Sequence, residues 1–284
     1  MGFDGFKGFE RRSVERMDAG FEKRPVIIHA HERAVRMFEE DAIRPEEFSG
    51  LYGEDVIARD VAAVNKRKES FGAPDRAKFA SEIMEGIIYD QSERSDWLGP
   101  HAHTIKTSDY DDIMNGVDLV VEFDEPEQSR KHLALGVDAT FGSHHLDSKF
   151  SRIKSEIDSG ELATIKYFRS QSGSFMGRLS HIPRVVTGID QDHLLDLAGT
   201  WEQGLNKELG VHPAQRLVLA QIAQQLKTYA AYAERIGRHQ LVRPYQDAYA
   251  TIRAISDTKR NIDVSAYKED KVHAAIIAQL ENFK

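Results

Sequence analysis

Two Val- and Leu-rich runs, residues 115–123 and 133–140, each carry an aspartate directly after a Gly-Val pair, as Gly116-Val117-Asp118 and Gly136-Val137-Asp138. Apolar β-rich runs of this length bounded by polar turns read as strands. Aspartate is depleted from strand interiors, so its recurrence at the same place in two successive strands calls for a purpose. The polar, proline-containing segment 124–130 between the runs predicts an antiparallel hairpin that brings Asp118 and Asp138 together. Two carboxylates held in this way suit a hard divalent cation such as Mg²⁺ or Mn²⁺, which keeps several waters and needs only one or two protein carboxylates.

The surrounding pattern is helix, strand pair, helix, strand. Ala73-Pro74 breaks a polar helical stretch, and Asp75 is placed to cap a helix running through Tyr89. Its inward face would hold Phe79, Ile83, Ile87 and Ile88, and it carries Glu82 and Glu85. Residues 100–108 read as a short strand or loop and residues 109–112 as a turn or short helix. Beyond the hairpin, Leu146, Phe150, Ile153 and Ile157 keep helical spacing until Ser159-Gly160. Residues 163–168 then form a strand, expected to lie parallel to its predecessor through a right-handed crossover. Residues 183–189 supply one more strand, and helices are predicted over 191–209, 213–238, 243–255 and 267–282. Three regions follow: a helical extension over 1–74, an α/β core over 75–190, and a helical region over 191–284.

This order of elements and acids resembles the PD-(D/E)XK, or restriction-endonuclease-like, nuclease superfamily over residues 76–168. The resemblance implies an α/β fold with an αβββαβ core and a mixed sheet, carrying N-terminal and C-terminal helical additions. It implies that Asp118 and Asp138 hold Mg²⁺ or Mn²⁺, that Glu82 or Glu85 is the helix glutamate, and that metal-activated water hydrolyses a phosphodiester of DNA or RNA. The family's lysine two residues after the second acid is here Thr140. A lysine relocated from a neighbouring element would replace it, with Lys154 preferred over Lys149 and Lys166. Without such a lysine the core would serve as an inactive scaffold, its helical regions binding a protein partner or a second copy.

Composition narrows the alternatives. The chain of 284 residues has no cysteine, which excludes disulfides, thiolate zinc sites and a cysteine nucleophile and fits a cytoplasmic location. No segment reads as a signal peptide or as long and apolar enough to span a membrane. A net charge of −8 argues against a protein that passively coats nucleic acid. A local basic lining is still available from Lys149, Arg152, Lys154, Lys166, Arg169, Arg178 and Arg184. His101 and His103 could join Asp109 around zinc, as His29 and His31 could elsewhere, but scattered surface histidines explain these pairs more simply. His144 and His145 follow the second acidic strand and are placed to touch a substrate phosphate. Residues 173–177 lack the ending of a P-loop, and Ser172 and Ser174 lie in no nucleophile elbow. Tyr229, Tyr232, Tyr245 and Tyr249 have the spacing of a helix–helix seam.

Overall fold

The computed structural model describes residues 20–71, 76–124, 130–137, 143–267 and 269–284. Helices α1 (Pro25–Glu40), α2 (Ser49–Tyr52), α3 (Glu54–Glu69) and α4 (Arg76–Arg94) lead into strand β1 (Ala102–Lys106) and the short helix α5 (Asp109–Ile113). Strands β2 (Leu119–Asp124) and β3 (Arg130–Val137), helix α6 (Ser143–Ser159) and strands β4 (Ala163–Arg169), β5 (Met176–Ile182) and β6 (Arg184–Thr187) follow. Helices α7 (Gln191–Glu202), α8 (Asn206–Leu209), α9 (Ala214–Arg235), α10 (His239–Thr258) and α11 (Lys271–Gln279) come last. The fold is mixed α/β and mostly helical.

One sheet has the order β1-β2-β3-β6. Its first three strands form an antiparallel meander in which Lys106 faces Leu119 and Leu119 faces Leu135. Strand β6 joins β3 in parallel, with Gly136 opposite Val186. The expectation that residues 163–168 lie parallel to the acidic strand is corrected here. Strand β4 pairs antiparallel with β5 in a separate two-stranded sheet, closed by a turn in which Gly173 N–H donates to Ser170 O and Gly173 takes a φ of 69°. Period-two patterning marks a strand without naming its partner, and a short turn makes the local antiparallel pairing the cheaper one to close. The parallel partner of β3 comes one hairpin later, after Pro183.

Both faces of the larger sheet are covered, which explains why β2 reads as a continuous apolar run instead of an alternating one. Leu119, Val121 and Phe123 join Leu133 and Val185 in the main core, together with Ile83, Ile87 and Ile88 of α4 and Leu146, Phe150, Ile153 and Ile157 of α6. Val120 and Ile105 belong to a second cluster with Ile165, Tyr167 and Phe168 of β4 and Phe48 and Ile57 of the N-terminal segment. Each such side chain contributes roughly 1.5–3 kcal/mol when fully buried. The main core also takes in Ile27 and Ala34 of α1, and Leu197, Trp201, Leu226 and Tyr245 of the C-terminal helices.

Helix α9 lies along β6 and bonds to it through side-chain amides. Gln225 accepts from Val186 N–H at 2.8 Å and donates to Val186 O at 2.6 Å. Gln221 accepts from Gly188 N–H at 3.0 Å and donates to Gly188 O at 2.8 Å. One turn on from Gln225, Tyr229 donates its hydroxyl to Gln225 Oε1 at 3.2 Å and meets Tyr245 of α10 edge to face at 5.6 Å.

Helices α1 and α4 pack tightly at Gly86, where an added Cβ would lie 2.7 Å from Ala34 Cβ and 3.2 Å from Trp201. Alanine is the better helix former by about 1 kcal/mol, yet overpacking of a close crossing costs about 1–3 kcal/mol. Gly86→Ala is therefore expected to lower stability, read as a lower urea midpoint with an unchanged slope.

Candidate metal centre

The loop from β1 to β2 is built to hold its carboxylates still. Thr107 Oγ1 donates to the carbonyls of Val117 at 2.5 Å and Asp118 at 3.1 Å, closing the loop. Ser108 caps α5 by accepting from Asp111 N–H. The fully buried Asp111 carboxylate accepts from Ser108 Oγ, Asn115 Nδ2, Lys166 N–H and Tyr167 N–H, at 2.6–2.9 Å. That clamp ties α5 to β4. Arg184 Nη1 donates to the carbonyls of Asn115 and Gly116 at 2.6 and 2.9 Å, and Gly116 turns with a φ of 65°. Asp118 follows two residues later, directly before β2, and is 9% exposed.

Glu85 of α4, Asp112 of α5 and Asp118 converge around the Lys106 ammonium. Lys106 Nζ lies 3.2 Å from Glu85 Oε2 and 3.0 Å from Asp112 Oδ2. Asp112 and Asp118 share a side-chain hydrogen bond, and Lys149 Nζ of α6 stands 3.7 Å from Asp118 Oδ2. Burial pushes the Glu85 carboxyl up to about 8, against the pull of Lys106 and with the help of the Asp118 and Asp112 charges. Burial likewise raises Asp112, with Lys106 opposing. For Lys106, burial disfavours the ammonium, but Asp112, Glu85 and Asp118 outweigh it and hold its pKa above the ordinary lysine value. Lys106 also lines a cavity of about 550 Å³ shared with Asp41, Arg44, Tyr89, Thr104 and Arg169.

Of the residues singled out from the sequence, Glu85 and Asp118 belong to this cluster. Asp138 and Thr140 lie outside the described residues, directly after Val137 in the chain. Glu82 points elsewhere, 2.6 Å from His31 and 3.6 Å from Lys78. Lys154, the lysine preferred from the sequence, is seated against the Tyr232 hydroxyl and ring and Asp158. Lys166 pairs with Asp60, ringed by Tyr52, Tyr110 and Tyr167. Lys149 is the candidate that reaches Asp118. Sequence reasoning missed Lys106 and Asp112; the alternation Ala102-Thr104-Lys106, which puts the lysine on the parity of two buried residues, was the available signal.

The basic stretch is largely internally neutralised. Lys166, Arg169 and Arg184 pair with Asp60, Glu47 and Glu156. The histidine pairs do not assemble as drawn from the sequence: Asp109 is held by Lys68 at 2.7 Å, and His103 meets Glu93 and Asp124. The side chains of His144 and His145 lie outside what is described.

A second cluster brings Asp190, His193 and Asp270 within 4.8 Å of one another, a donor set that could hold a metal. Its carboxylates already serve two helix N-termini. Asp190 accepts from the N–H groups of His193 and Lys271, and Asp270 from those of Asp190 and His273. His193 Nδ1 bridges the two at 2.8 and 3.0 Å. Helix N-termini favour anions, so this arrangement acts foremost as a reciprocal cap between α7 and α11.

Comparison with protein-family models, curated proteins and solved structures finds no match to the chain. Among the described residues, no helix is long and apolar enough to cross a membrane.

The raised Glu85 carboxyl fixes a pH dependence. Between its unfolded value of about 4.3 and about 8, the folded state binds the proton that the unfolded chain releases. Stability of the metal-free protein therefore falls as pH rises through that window. Glu85→Gln removes this loss. Its Tm relative to wild type, measured in a chelator, is expected to rise between about pH 4 and about pH 8, and a flat difference would contradict the burial argument.

Proposed function

We propose that the chain is a metal-dependent phosphodiesterase that cleaves nucleic acid, built on a PD-(D/E)XK-like core. The observation that carries this reading is the convergence of Glu85 from the helix before the sheet, Asp118 from the mouth of β2 and Lys149 from the crossover helix α6. The order α4-β1-β2-β3-α6-β6, with an antiparallel meander and one parallel strand, supports the αβββαβ assignment, with β4 and β5 as an inserted hairpin. The donor set is all carboxylate oxygen, which suits Mg²⁺ or Mn²⁺.

In this reading Asp118, Glu85 and Asp138 hold the divalent ion. When bound, the ion supplies an activated water and charge neutralisation at the scissile phosphate. Lys149 takes over the role that Thr140 cannot fill. It releases Asp118 to the ion and offers its ammonium to the phosphate as negative charge develops. Arg184 and Thr107 keep the 115–118 loop in place, so Asp118 does not have to be ordered during the reaction.

Cleavage of labelled single-stranded and duplex DNA and RNA with Mg²⁺ or Mn²⁺ tests the reading. Asp118→Asn is expected to fall to background with its circular dichroism unchanged. Lys149→Met is expected to lose about 100-fold, and Lys154→Met to keep wild-type rate. Cleavage retained by Asp118→Asn, or no metal-dependent cleavage by the wild type, would remove the nuclease and leave the scaffold.

A further inference from the structure

The donor atoms of Asp190, His193 and Asp270 converge more tightly than helix capping requires. Asp190 and Asp270 are 5% and 1% exposed. Each of their four carboxylate oxygens accepts one backbone N–H, which leaves each a further lone pair. His193 Nδ1 lies 2.8 Å from Asp190 Oδ1 and 3.0 Å from Asp270 Oδ2, so a single ring nitrogen faces a carboxylate from each cap. A capping aspartate needs only the N–H groups of a first helical turn, and the histidine between the two is an addition to that arrangement.

Beside it stands a buried hydroxyl without a partner. Tyr267, in the turn before α11, is 4% exposed, its ring stacks on His193 at 4.2 Å, and its hydroxyl makes no hydrogen bond. Burial raises its pKa, and the charges of Asp196, Asp270 and Asp190 raise it further, so the hydroxyl lies within electrostatic reach of both capping carboxylates. Unpaired buried polar groups are rare in native proteins and call for a partner such as an ordered water or ion.

Zinc and similar ions bind imidazole nitrogen and carboxylate oxygen at about 2.0–2.2 Å. Donors at those lengths stand about 2.9 Å apart at a right angle and about 3.4 Å apart in a tetrahedron, against 2.8 and 3.0 Å here. All three donor atoms lie within 4.8 Å of one another, so small side-chain rotations bring them onto one ion. A divalent ion beside a neutral imidazole also cancels the two buried carboxylate charges. One imidazole with carboxylates suits Zn²⁺ or Co²⁺ better than Mg²⁺, which takes oxygen ligands. We propose that Asp190, His193 and Asp270 form a binding site for one divalent transition-metal ion of the Zn²⁺ or Co²⁺ type, joining the starts of α7 and α11. The ion takes the position of the Nδ1 proton, which passes to Nε2 or to solvent, and the Tyr267 hydroxyl bonds to a water that completes the ion's shell. The site shares no residue with the Asp118 centre and stands independently of the nuclease reading.

The test is a Zn²⁺ titration by isothermal calorimetry, made on the full chain carrying Asp118→Asn so that the other centre lacks a ligand. His193→Gln and Asp270→Asn are each added to that parent. Asparagine caps a helix as well as aspartate does, so Asp270→Asn keeps its N–H partners and loses the charged donor. The parent is expected to bind one Zn²⁺ in a step that both double variants weaken by about 100-fold or more. A parent without that step, or a step that survives either substitution, would overturn the inference and leave the nuclease reading untouched. Should the double variants fail to fold, long-range proton–nitrogen NMR of the parent decides. A His193 Nδ1 resonance that moves to the metal-bound position on adding Zn²⁺ supports the site, and one that stays in place under excess Zn²⁺ refutes it.

Discussion

The ammonium of Lys106 is the interaction on which this end of the molecule depends. Three carboxylates, Glu85, Asp112 and Asp118, come from three different elements and meet in a place largely removed from water. Desolvating an ion costs several kcal/mol even after relaxation, while two unit charges 3 Å apart attract by about 5 kcal/mol at an effective dielectric of 20. One ammonium shared by two carboxylates can offset part of that cost but not all of it. The remainder appears as the upward displacement of Glu85 and Asp112, with Lys106 held cationic by the same neighbours. The helix, the strand and the loop are thus tied by charge as well as by apolar contact.

Adjacent aspartates on α5 divide the labour. Asp111 spends its carboxylate on four donors and stitches the short helix to the backbone of β4. Its neighbour Asp112 turns to the charged cluster. A five-residue helix has little stability of its own, so the direction in which Asp112 points is set by the clamp that Asp111 makes. The β4–β5 hairpin, which separates α6 from β6 in the chain, is thereby tied to the element that carries Asp112.

Much of the fold was legible because apolar spacing is a direct record of burial. Ile83, Ile87 and Ile88, and the run Leu146, Phe150, Ile153 and Ile157, lie inside helices whose apolar faces fill the main core. What spacing could not supply was pairing: residues 163–169 are a strand, but their partner is set by the turn at Ser170–Gly173. The centre was legible to the extent that its acids are unusual in a strand context. Asp118 and Glu85 stood out by type and position, whereas Lys106 and Asp112 are ordinary residues whose importance comes from tertiary proximity. Lys154 attracted notice as a helix lysine on the crossover, yet its rotational position on α6 carries it to Tyr232 and Asp158. Lys149, five residues earlier, lies on the other side of the same helix axis at 100° per residue.

The pairing of Gln221 and Gln225 with the backbone of Val186 and Gly188 has a consequence for how the molecule meets other chains. Exposed strand edges are templates on which foreign strands can dock and from which aggregates can grow. Here two side-chain amides imitate the donor and acceptor pattern of a neighbouring strand, so the hydrogen-bonding capacity of β6 at those residues is already spent. An invading peptide would have to dislodge a buried helix to register there, which makes this border of the sheet a closed frontier for strand exchange.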